Sequence, residues 1–508
     1  MRSALAGAVV AAAAALSACG GSSAAAPVRS SAGGDPLSLA SVEVVPALAG
    51  PASVPLPSGG AVVSFDIHGG TFVVGGRTVS LASAASNWVG GPAWRHVEIA
   101  AGRVSVDGRR LAGVPSGAST LAFGRVRVRA LIVSRAGSFE ALLFHRLAEL
   151  HARVPSGLFP SGAAVDDRLY YDPGWTSGFY AGALWQAAAL EPAGGMFARW
   201  ALAATVDHFG SERSPTHDVG FMYGQSSLNA YDASCAGRAG ASPALCARLR
   251  ASVVAAADEL LSLAASNPGS GTIPTDPTSP EAETIVDSMM NIAILPWATA
   301  VTGNPAYRRL ALHQARVIAA VLVRRDGSTA QSANFNRLSG RLLSVTTHQG
   351  LSNRSTWARG EGWALYGFSV AALELRDRAL LRVAQRIAGY VVSHVPAGGV
   401  PPWDYDAGGG APVDVSAGVI TAAGLLHLVA ACHHFRGGCG ATATARWTSL
   451  ARRMLDAAVG GYASPRAPLG LLRSQIQDQR WGNGCWCNHG ELIYGLSYSL
   501  EALRLAQR

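Results

Sequence analysis

Beyond about residue 137, the sequence alternates between two kinds of helical segment, and this alternation strongly limits the possible folds. One kind has an apolar face and a polar face at helical spacing; the examples are 139–154, 244–265, 307–323 and 379–394. The other kind is apolar nearly all round and should therefore be buried; the examples are 178–190, 284–300, 360–375 and 415–431. Roughly six segments of each kind alternate, which predicts a mostly α fold, an (α/α)6 toroid with the apolar helices as its inner ring.

Residues 59–136 have a different pattern, in which short alternating runs are separated by glycine-rich turns. The run 104–109 is typical of a hairpin around an Asp-Gly turn. The pattern predicts a small all-β domain, a sandwich or a lectin-like jelly roll, ahead of a helical domain at 137–508. The sequence singles out no binding residues in the β domain, so sugar binding and an inert spacer role both stay open.

The N-terminus is typical of an exported lipoprotein. Arg2 precedes an apolar stretch at 5–16 that is too short to span a membrane. This stretch ends in Leu-Ser-Ala-Cys, which predicts a signal peptide at 1–19 and lipidation of Cys19. An ordinary cleavage site with a chance cysteine is the alternative. Residues 20–58 are rich in Ser, Ala, Gly and Pro, which predicts a flexible linker. We expect a chain outside the bacterial membrane or in the periplasm, attached to the membrane only through lipid.

Six further cysteines favour disulfides in an exported chain; they are Cys235, Cys246, Cys432, Cys439, Cys485 and Cys487. A bridge from Cys235 to Cys246, or from Cys432 to Cys439, would close a short local loop. A mutual bridge between Cys485 and Cys487 should be strained, because one residue separates them. The connectivity stays open, and no CxxC pair supports a zinc site.

The net charge of +9 suits an acidic partner better than a basic one. The arginines are scattered and form no basic run, so a nucleic-acid partner is not expected.

Aromatic and polar residues recur at the starts of successive apolar segments. The candidate site residues are Trp175, His217, Asp218, Asp287, His348, Gln349, Arg359, Trp363 and Trp403. Each has a structural alternative: Asp218 could cap a helix, the tryptophans could fill the core, the histidines could be satisfied in loops, and Arg359 could pair with Glu361 or another carboxylate. Their recurrence at the same end of successive helices predicts a sugar site, because such sites combine aromatic walls with a few convergent polar groups.

Asp287 lies in an apolar segment, where a carboxylate is costly unless it is paired or used. Burial raises the pKa of an Asp above its reference of about 3.9, and a neighbouring Asp218 would raise it further. The sequence thus predicts a site with two carboxyl groups, one protonated as an acid and one charged.

Six segments resemble the unsaturated glucuronyl hydrolases of glycoside hydrolase family 88. They are WTSGFYAGALW (175–185), HDVGF (217–221), IVDSMMN (285–291), THQG (347–350), STWARGEGWALYG (355–367) and PPWDYDA (401–407), and the likeness covers about 140–508. The resemblance implies a toroid that removes a terminal Δ4,5-unsaturated uronic acid from lyase-generated oligosaccharides, by hydration of its vinyl ether bond.

The resemblance also implies roles for individual residues. Asp287 matches the acid/base, and Asp218 matches the second functional aspartate. The implied binding residues are Trp175 and Trp363 as stacking rings, His348 and Gln349 as hydrogen-bonding groups, Arg359 as the holder of the uronate carboxylate, and His217 and Trp403 in the site wall. No metal or organic cofactor is implied.

Two departures from the family pattern leave the aglycone preference open. After 326–328 the family usually carries a histidine that contacts substrate, whereas this chain continues Thr329-Ala330-Gln331. The C-terminal stretch has Cys485-Trp486-Cys487 and Gly495-Leu496-Ser497 where Trp-Gly-Asp is more usual. The parent glycan, its sulfation and the oligomeric state stay open. One alternative is a toroid polysaccharide lyase with a tyrosine base; the candidates are Tyr171, Tyr223 and Tyr405. The other is a glycan-binding lipoprotein without activity.

Overall fold

The computed structural model describes residues 42–507, with gaps at 50, 57–60, 69–70, 82–94, 101–102, 107–108, 115–117, 119, 124–125, 136–138, 165–167, 192–194, 237–240, 436, 463–471, 482–484 and 486. The predicted signal peptide, Cys19 and residues 20–41 of the predicted linker lie outside this part.

The described part contains an N-terminal β region followed by a mostly helical region. The strands are β1 Val42–Ala49, β2 Ala52–Pro55, β3 Ala61–His68, β4 Thr71–Val74, β5 Arg77–Ser80, β6 Arg95–Ala100, β7 Arg103–Val106, β8 Arg109–Gly113, β9 Thr120–Phe123, β10 Arg127–Arg135, β11 Pro160–Ala163, β12 Leu169–Tyr171, β13 Glu281–Ile285, β14 Ser332–Asn336, β15 Leu342–Thr346 and β16 Glu491–Leu492. The helices are α1 Phe139–Arg153, α2 Ser177–Leu190, α3 Met196–Asp207, α4 Val219–Tyr223, α5 Asn229–Ser234, α6 Pro243–Ala265, α7 Ser288–Asn291, α8 Ile294–Thr302, α9 Pro305–Val321, α10 Ala358–Leu375, α11 Arg378–His394, α12 Val415–His434, α13 Ala441–Tyr462 and α14 Ile493–Ala506.

The β region consists of two antiparallel sheets, in the orders β1-β10-β3-β6-β7-β8 and β2-β9-β4-β5. Alternate residues of each strand point inward, as in β4, where Phe72 and Val74 are buried. Phe65 of the first sheet meets Phe72 and Phe123 of the second edge to face, at 5.3 and 5.0 Å between ring centroids. The two sheets thus share one hydrophobic core, and β7 and β8 form the predicted hairpin.

The prediction of a flexible linker up to residue 58 was wrong for Val42–Ala49 and Ala52–Pro55, which are strands. Strand β1 pairs with β10 from Val42 opposite Ser134 to Ala49 opposite Arg127. It is an edge strand, where a proline such as Pro46 is tolerated. Composition could not reveal this strand, because its pairing partner is far along the chain.

Six of the helices are neighbours in a closed ring. Helix α2 contacts α4, α4 contacts α7, α7 contacts α10, α10 contacts α12, α12 contacts α14, and α14 returns to α2. Helices α3, α6, α9, α11 and α13 pack outside this ring. The inner helices are buried on nearly all sides, as their apolar sequences require, whereas the outer ones keep a polar face in water. Helix α12 is apolar enough to cross a membrane, but 83% of its most apolar window is buried in the protein.

Glycines allow the inner helices to approach backbone to backbone. A Cβ on Gly178 would lie 2.2 Å from the carbonyl oxygen of Met222, and one on Gly220 would lie 2.1 Å from that of Asn291. Helices α2, α4 and α7 therefore sit closer together than residues with side chains would permit.

A central aromatic cluster fills the ring at this level. It consists of Phe179, Phe221, Trp363, Tyr494 and Tyr498, all buried. Its members come from α2, α4, α10 and α14, with neighbouring ring centroids 5.2 to 6.3 Å apart. The cluster packs four of the six inner helices against one another.

The predicted apolar helix at 284–300 is not continuous. Residues Glu281–Ile285 form strand β13, which pairs with β14, and two short helices follow. Asp287 therefore lies at the junction between a strand and α7, not within a helix. The alternating burial of β13 was masked in the sequence by the apolar run that follows it.

The structure joins Cys235 to Cys246 and Cys432 to Cys439, the pairs that the short spacings suggested. It also joins Cys485 to Cys487, a pair whose bridge we expected to be strained and whose pairing the sequence left open.

Candidate active site

Three of the sequence-predicted residues and two further residues, Trp357 and Asp414, lie just before the N-terminal ends of inner helices. Trp175 lies just before α2, Asp218 just before α4, and Asp287 just before α7. Trp357 precedes α10, and Asp414 precedes α12. Because the six helices form a ring, these five positions surround one end of it.

Asp287 has the electrostatics of a proton donor. Its Oδ2 atom is buried and has no hydrogen-bond partner among the described residues, and its side chain does not cap α7. Burial raises the pKa of Asp287 to about 6; the charge of His217 lowers it, that of Asp218 raises it, and that of Arg359 lowers it. A carboxyl group with a pKa of about 6 is half protonated at that pH and about one-tenth protonated at pH 7.

Asp218 is held by hydrogen bonds and has no unpartnered oxygen. Its Oδ2 atom accepts a bond of 3.3 Å from the Thr216 hydroxyl. Its Oδ1 atom accepts one of 3.3 Å from Asn291 Nδ2 and lies 3.4 Å from His217 Nε2. Asp218 occupies the cap position of α4, but its side chain makes no capping bond, so the structural alternative of an N-cap does not hold.

Asn291 is a site residue that the sequence analysis missed. Its Nδ2 donates to Asp218, while its Oδ1 accepts a 2.7 Å bond from the backbone N of Phe221. It thereby joins the start of α4 to α7, the helix that follows Asp287. Its place four residues after Asp287 was a usable signal, because residues four apart share one face of a helix.

His217 is satisfied inside the protein. It is 4% exposed, and its Nδ1 lies 3.2 Å from the Ser288 hydroxyl. The prediction that His217 contacts substrate is not supported by this placement, whereas the alternative of a satisfied loop histidine is.

Only one of the three predicted tryptophans has an accessible ring. Trp175 is half-buried and packs on Phe179, Phe221 and Tyr494. Trp363 is 1% exposed within the aromatic cluster, and Trp403 is 6% exposed. The structure therefore contradicts stacking by Trp363 and a wall position for Trp403, since neither offers a ring face to a ligand.

Arg359 is already paired. It is 1% exposed, and its Nη1 donates to Asp414 at 2.8 Å. It also donates to the backbone oxygens of Ile476 and Gln477 and lies over the Trp357 ring at 4.6 Å. The carboxylate that Arg359 holds in this structure belongs to Asp414 and not, as predicted, to a uronate. Its charge still acts on Asp287 by lowering the pKa of that group.

His348 and Gln349 lie at the rim of the site. The His348 side chain is 55% exposed and hydrogen-bonds Glu283, which raises the pKa of His348. The Gln349 side chain donates to the Gln477 carbonyl at 2.8 Å and accepts a 2.7 Å bond from Gln331. Both side chains can still contact a ligand. The sequence analysis did not predict the hydrogen bonds of Gln331 and Gln477 to Gln349.

The tyrosines that a lyase would use as a base are poorly suited to that role. Tyr223 is fully buried and donates to the His208 carbonyl at 3.1 Å. The hydroxyl oxygen of Tyr405 is buried too, and burial raises the pKa of both residues. Burial also raises the pKa of Tyr171, which is the most exposed of these three tyrosines. A raised pKa opposes deprotonation, which is the first need of a general base.

Comparison with known proteins gives consistent relatives, although no family model matches the chain. The unsaturated glucuronyl hydrolase of Bacillus sp. (strain GL1) is 32% identical over 263 residues, which are 50% of this chain and 67% of that protein. That of Formosa agariphila is 28% identical over 234 residues, which are 44% of this chain and 54% of that protein.

Solved structures agree over a longer stretch. The Bacillus sp. GL1 unsaturated glucuronyl hydrolase matches with a TM-score of 0.62 and 26% identity, over 72% of this chain and 94% of that one. An unsaturated glucuronyl hydrolase described as specific for heparin matches with a TM-score of 0.64 and 25% identity, over 73% of this chain and 97% of that one.

Proposed function

This chain belongs to the unsaturated glucuronyl hydrolases of glycoside hydrolase family 88, and we propose that it removes terminal Δ4,5-unsaturated glucuronic acid from lyase-generated oligosaccharides with Asp287 as the proton donor. We also propose that the closed helical ring is an (α/α)6 toroid, with the β sandwich as a separate domain before it.

The observation that carries the proposal is the state of the Asp287 carboxyl group. Its buried oxygen has no partner within the described ranges and its pKa is about 6, so the group can hold a proton and give it away. Asp287 donates that proton to C4 of the vinyl ether, and the oxygen of a water molecule bonds to C5. The water returns a proton to the Asp287 carboxylate, and the resulting hemiketal opens to release the rest of the glycan.

The other residues position this chemistry. Asp218, fixed by Asn291 and Thr216, binds sugar hydroxyls and keeps a negative charge beside the acid. Trp175 is the accessible ring for the flat unsaturated sugar. Gln349 and His348 contact the sugar from the rim of the site. The buried Arg359, which is hydrogen-bonded to Asp414, supplies positive electrostatic potential.

The Asp287→Asn variant tests the proposal. Asn is nearly isosteric but cannot donate a carboxyl proton, so kcat/KM on unsaturated disaccharides should fall by roughly 10²- to 10⁴-fold. The assay follows the loss of the ultraviolet absorbance of the conjugated double bond, and circular dichroism checks the fold.

Asp276→Asn changes an exposed loop aspartate and should leave activity unchanged. Full activity in Asp287→Asn would reject the assignment. An increase in absorbance on intact polysaccharide would indicate a lyase, and binding without turnover by the wild type would indicate a glycan-binding protein.

We further propose that the chain is exported and anchored to the membrane by lipid on Cys19, on the strength of the Leu-Ser-Ala-Cys sequence alone. Labelled fatty acid should be incorporated into the wild-type protein in the bacterial host and not into Cys19→Ala. Equal labelling of the two would reject the anchor.

A further inference from the structure

We propose that Gln331 is a positioning residue for this reaction, which orients the side-chain amide of Gln349 and holds the turn at 347–349. The inference rests on the proposed function, because it assigns Gln331 a part in binding the same sugar. Gln331 is 4% exposed and lies just before strand β14.

The oxygen of the Gln331 amide organises the turn. Its Oε1 accepts hydrogen bonds from the Thr347 hydroxyl at 2.7 Å, the His348 backbone N at 2.8 Å and the Gln349 backbone N at 3.0 Å. Because two of these donors are backbone N–H groups, the atom that faces them must be the oxygen. The orientation of the Gln331 amide is therefore fixed.

That orientation fixes Gln349 in turn. The Nε2 atom of Gln331 donates to Gln349 Oε1 at 2.7 Å, and Gln349 Nε2 donates to the Gln477 carbonyl at 2.8 Å. A flipped Gln349 would place nitrogen against nitrogen and oxygen against oxygen, so both bonds would be lost. The second hydrogen on Gln349 Nε2, which has no partner among the described residues, is left as a donor for a sugar hydroxyl.

The backbone of Gln331 is also hydrogen-bonded to the segment that carries Asp287. Its carbonyl accepts a 2.8 Å bond from the N of Val286, the residue before Asp287. One buried residue thus ties the rim of the site to the segment that carries the proton donor, which sets the spacing between Gln349 and Asp287.

Two variants separate the functions of the amide. Gln331→Met has similar length but no polar atoms, so it removes all four side-chain bonds. Gln331→Glu keeps the acceptors but turns an oxygen toward Gln349 Oε1. We expect KM to rise about tenfold in Gln331→Met and further in Gln331→Glu, while kcat changes by less than about threefold. The pH profile, which Asp287 governs, should not move in Gln331→Met.

Asn267→Leu is the matched control. Asn267 is fully buried, and its Nδ2 donates to Ser270 Oγ, Thr272 O and Thr272 Oγ1 in the turn that follows α6. Its loss should lower stability without raising KM. If Asn267→Leu raised KM as much as Gln331→Met, the effect of Gln331 would be structural and the proposal would fail.

Hydrogen exchange gives a readout that does not depend on activity. The backbone amides of His348 and Gln349 should exchange faster in Gln331→Met than in the wild type. Their exchange rates should be unchanged in Asn267→Leu. Unchanged exchange in Gln331→Met overturns the inference whatever the substrate. An inactive wild type with the expected exchange would reject the proposed function and leave the turn-holding role of Gln331 supported.

Discussion

At the scale of single residues, the site separates two aspartates by their surroundings. Asp287 has a buried oxygen without a partner in the part of the chain that the structure describes, whereas Asp218 accepts bonds from Asn291 and Thr216. The burial of Asp287 favours its neutral acid form, whereas the Asp218 carboxyl group is held in place by its hydrogen bonds. Two identical side chains can therefore perform different steps of one reaction.

The pH dependence should report this division. The pKa of Asp287 is raised to about 6, so the acid form is present below that pH and is lost as the pH rises through it. Asp218→Asn removes one of the charges that raise this pKa. The alkaline limb of the kcat/KM profile should therefore move to lower pH in the residual activity of that variant.

His217→Gln is the opposite control, because the positive charge of His217 lowers the same pKa. Its alkaline limb should move to higher pH. If the alkaline limbs of Asp218→Asn and His217→Gln moved in the same direction, a group other than Asp287 would control the pH profile.

The residue types of the site were predictable from the sequence, but their partners were not. Arg359 was expected to meet a carboxylate, and it does, yet the carboxylate is Asp414, 55 positions away. Likewise, the family resemblance implied that Trp363 stacks on the sugar, and only the packing of the ring shows it to be buried. Long-range pairing and burial depend on the assembled fold, which local patterns do not contain.

At the scale of elements, glycine contacts between inner helices hold the site in register. Gly220 of α4 lies against the backbone of Asn291 of α7, and these helices begin beside Asp218 and Asp287. The apolar pattern of the inner segments predicted their burial. It did not predict the break at β13, because strand and helix are hard to distinguish in a short apolar run.

Gly220→Ala should disrupt this contact. Its Cβ would lie 2.1 Å from the Asn291 carbonyl oxygen, so α4 and α7 must separate. We expect a loss of roughly 1–3 kcal/mol in the free energy of unfolding, measured by denaturant titration, and lower activity because both aspartates shift.

Gly389→Ala is the matched substitution in α11. Nothing lies within 4 Å of the added Cβ, so the variant should gain roughly 0.5–1 kcal/mol from better helix propensity. A neutral Gly220→Ala would mean that the two helices are not in backbone contact.

At the scale of the whole molecule, α1 connects the β sandwich to the helices through buried polar groups. His145 Nδ1 lies 2.5 Å from the Ser64 hydroxyl of β3. Arg146 donates to Glu98 of β6 and to Glu149 of its own helix, both at 3.0 Å. These fixed contacts are not those of a freely tethered spacer, and they were not predictable because they join residues far apart in sequence.

Arg146→Met should weaken the connection between the two regions. It leaves Glu98 and Glu149 without their shared cation, and breaking a buried pair in this way costs roughly 3–5 kcal/mol. We expect calorimetry to show the β sandwich unfolding before the helical region.

Arg316→Met provides the comparison. Arg316 is 66% exposed and pairs with Asp377 at 3.3 Å, so its loss should cost less than about 1 kcal/mol. Equal and small effects from both substitutions would refute a structural role for the Arg146 pair.

The central aromatic cluster has a consequence for how a polymer can be degraded. Phe179, Phe221, Trp363, Tyr494 and Tyr498 are buried and pack together between four of the inner helices. We therefore expect that a sugar chain does not pass through the ring at this level and that the enzyme acts only on chain ends. Each monosaccharide would then leave on the side from which the chain end entered.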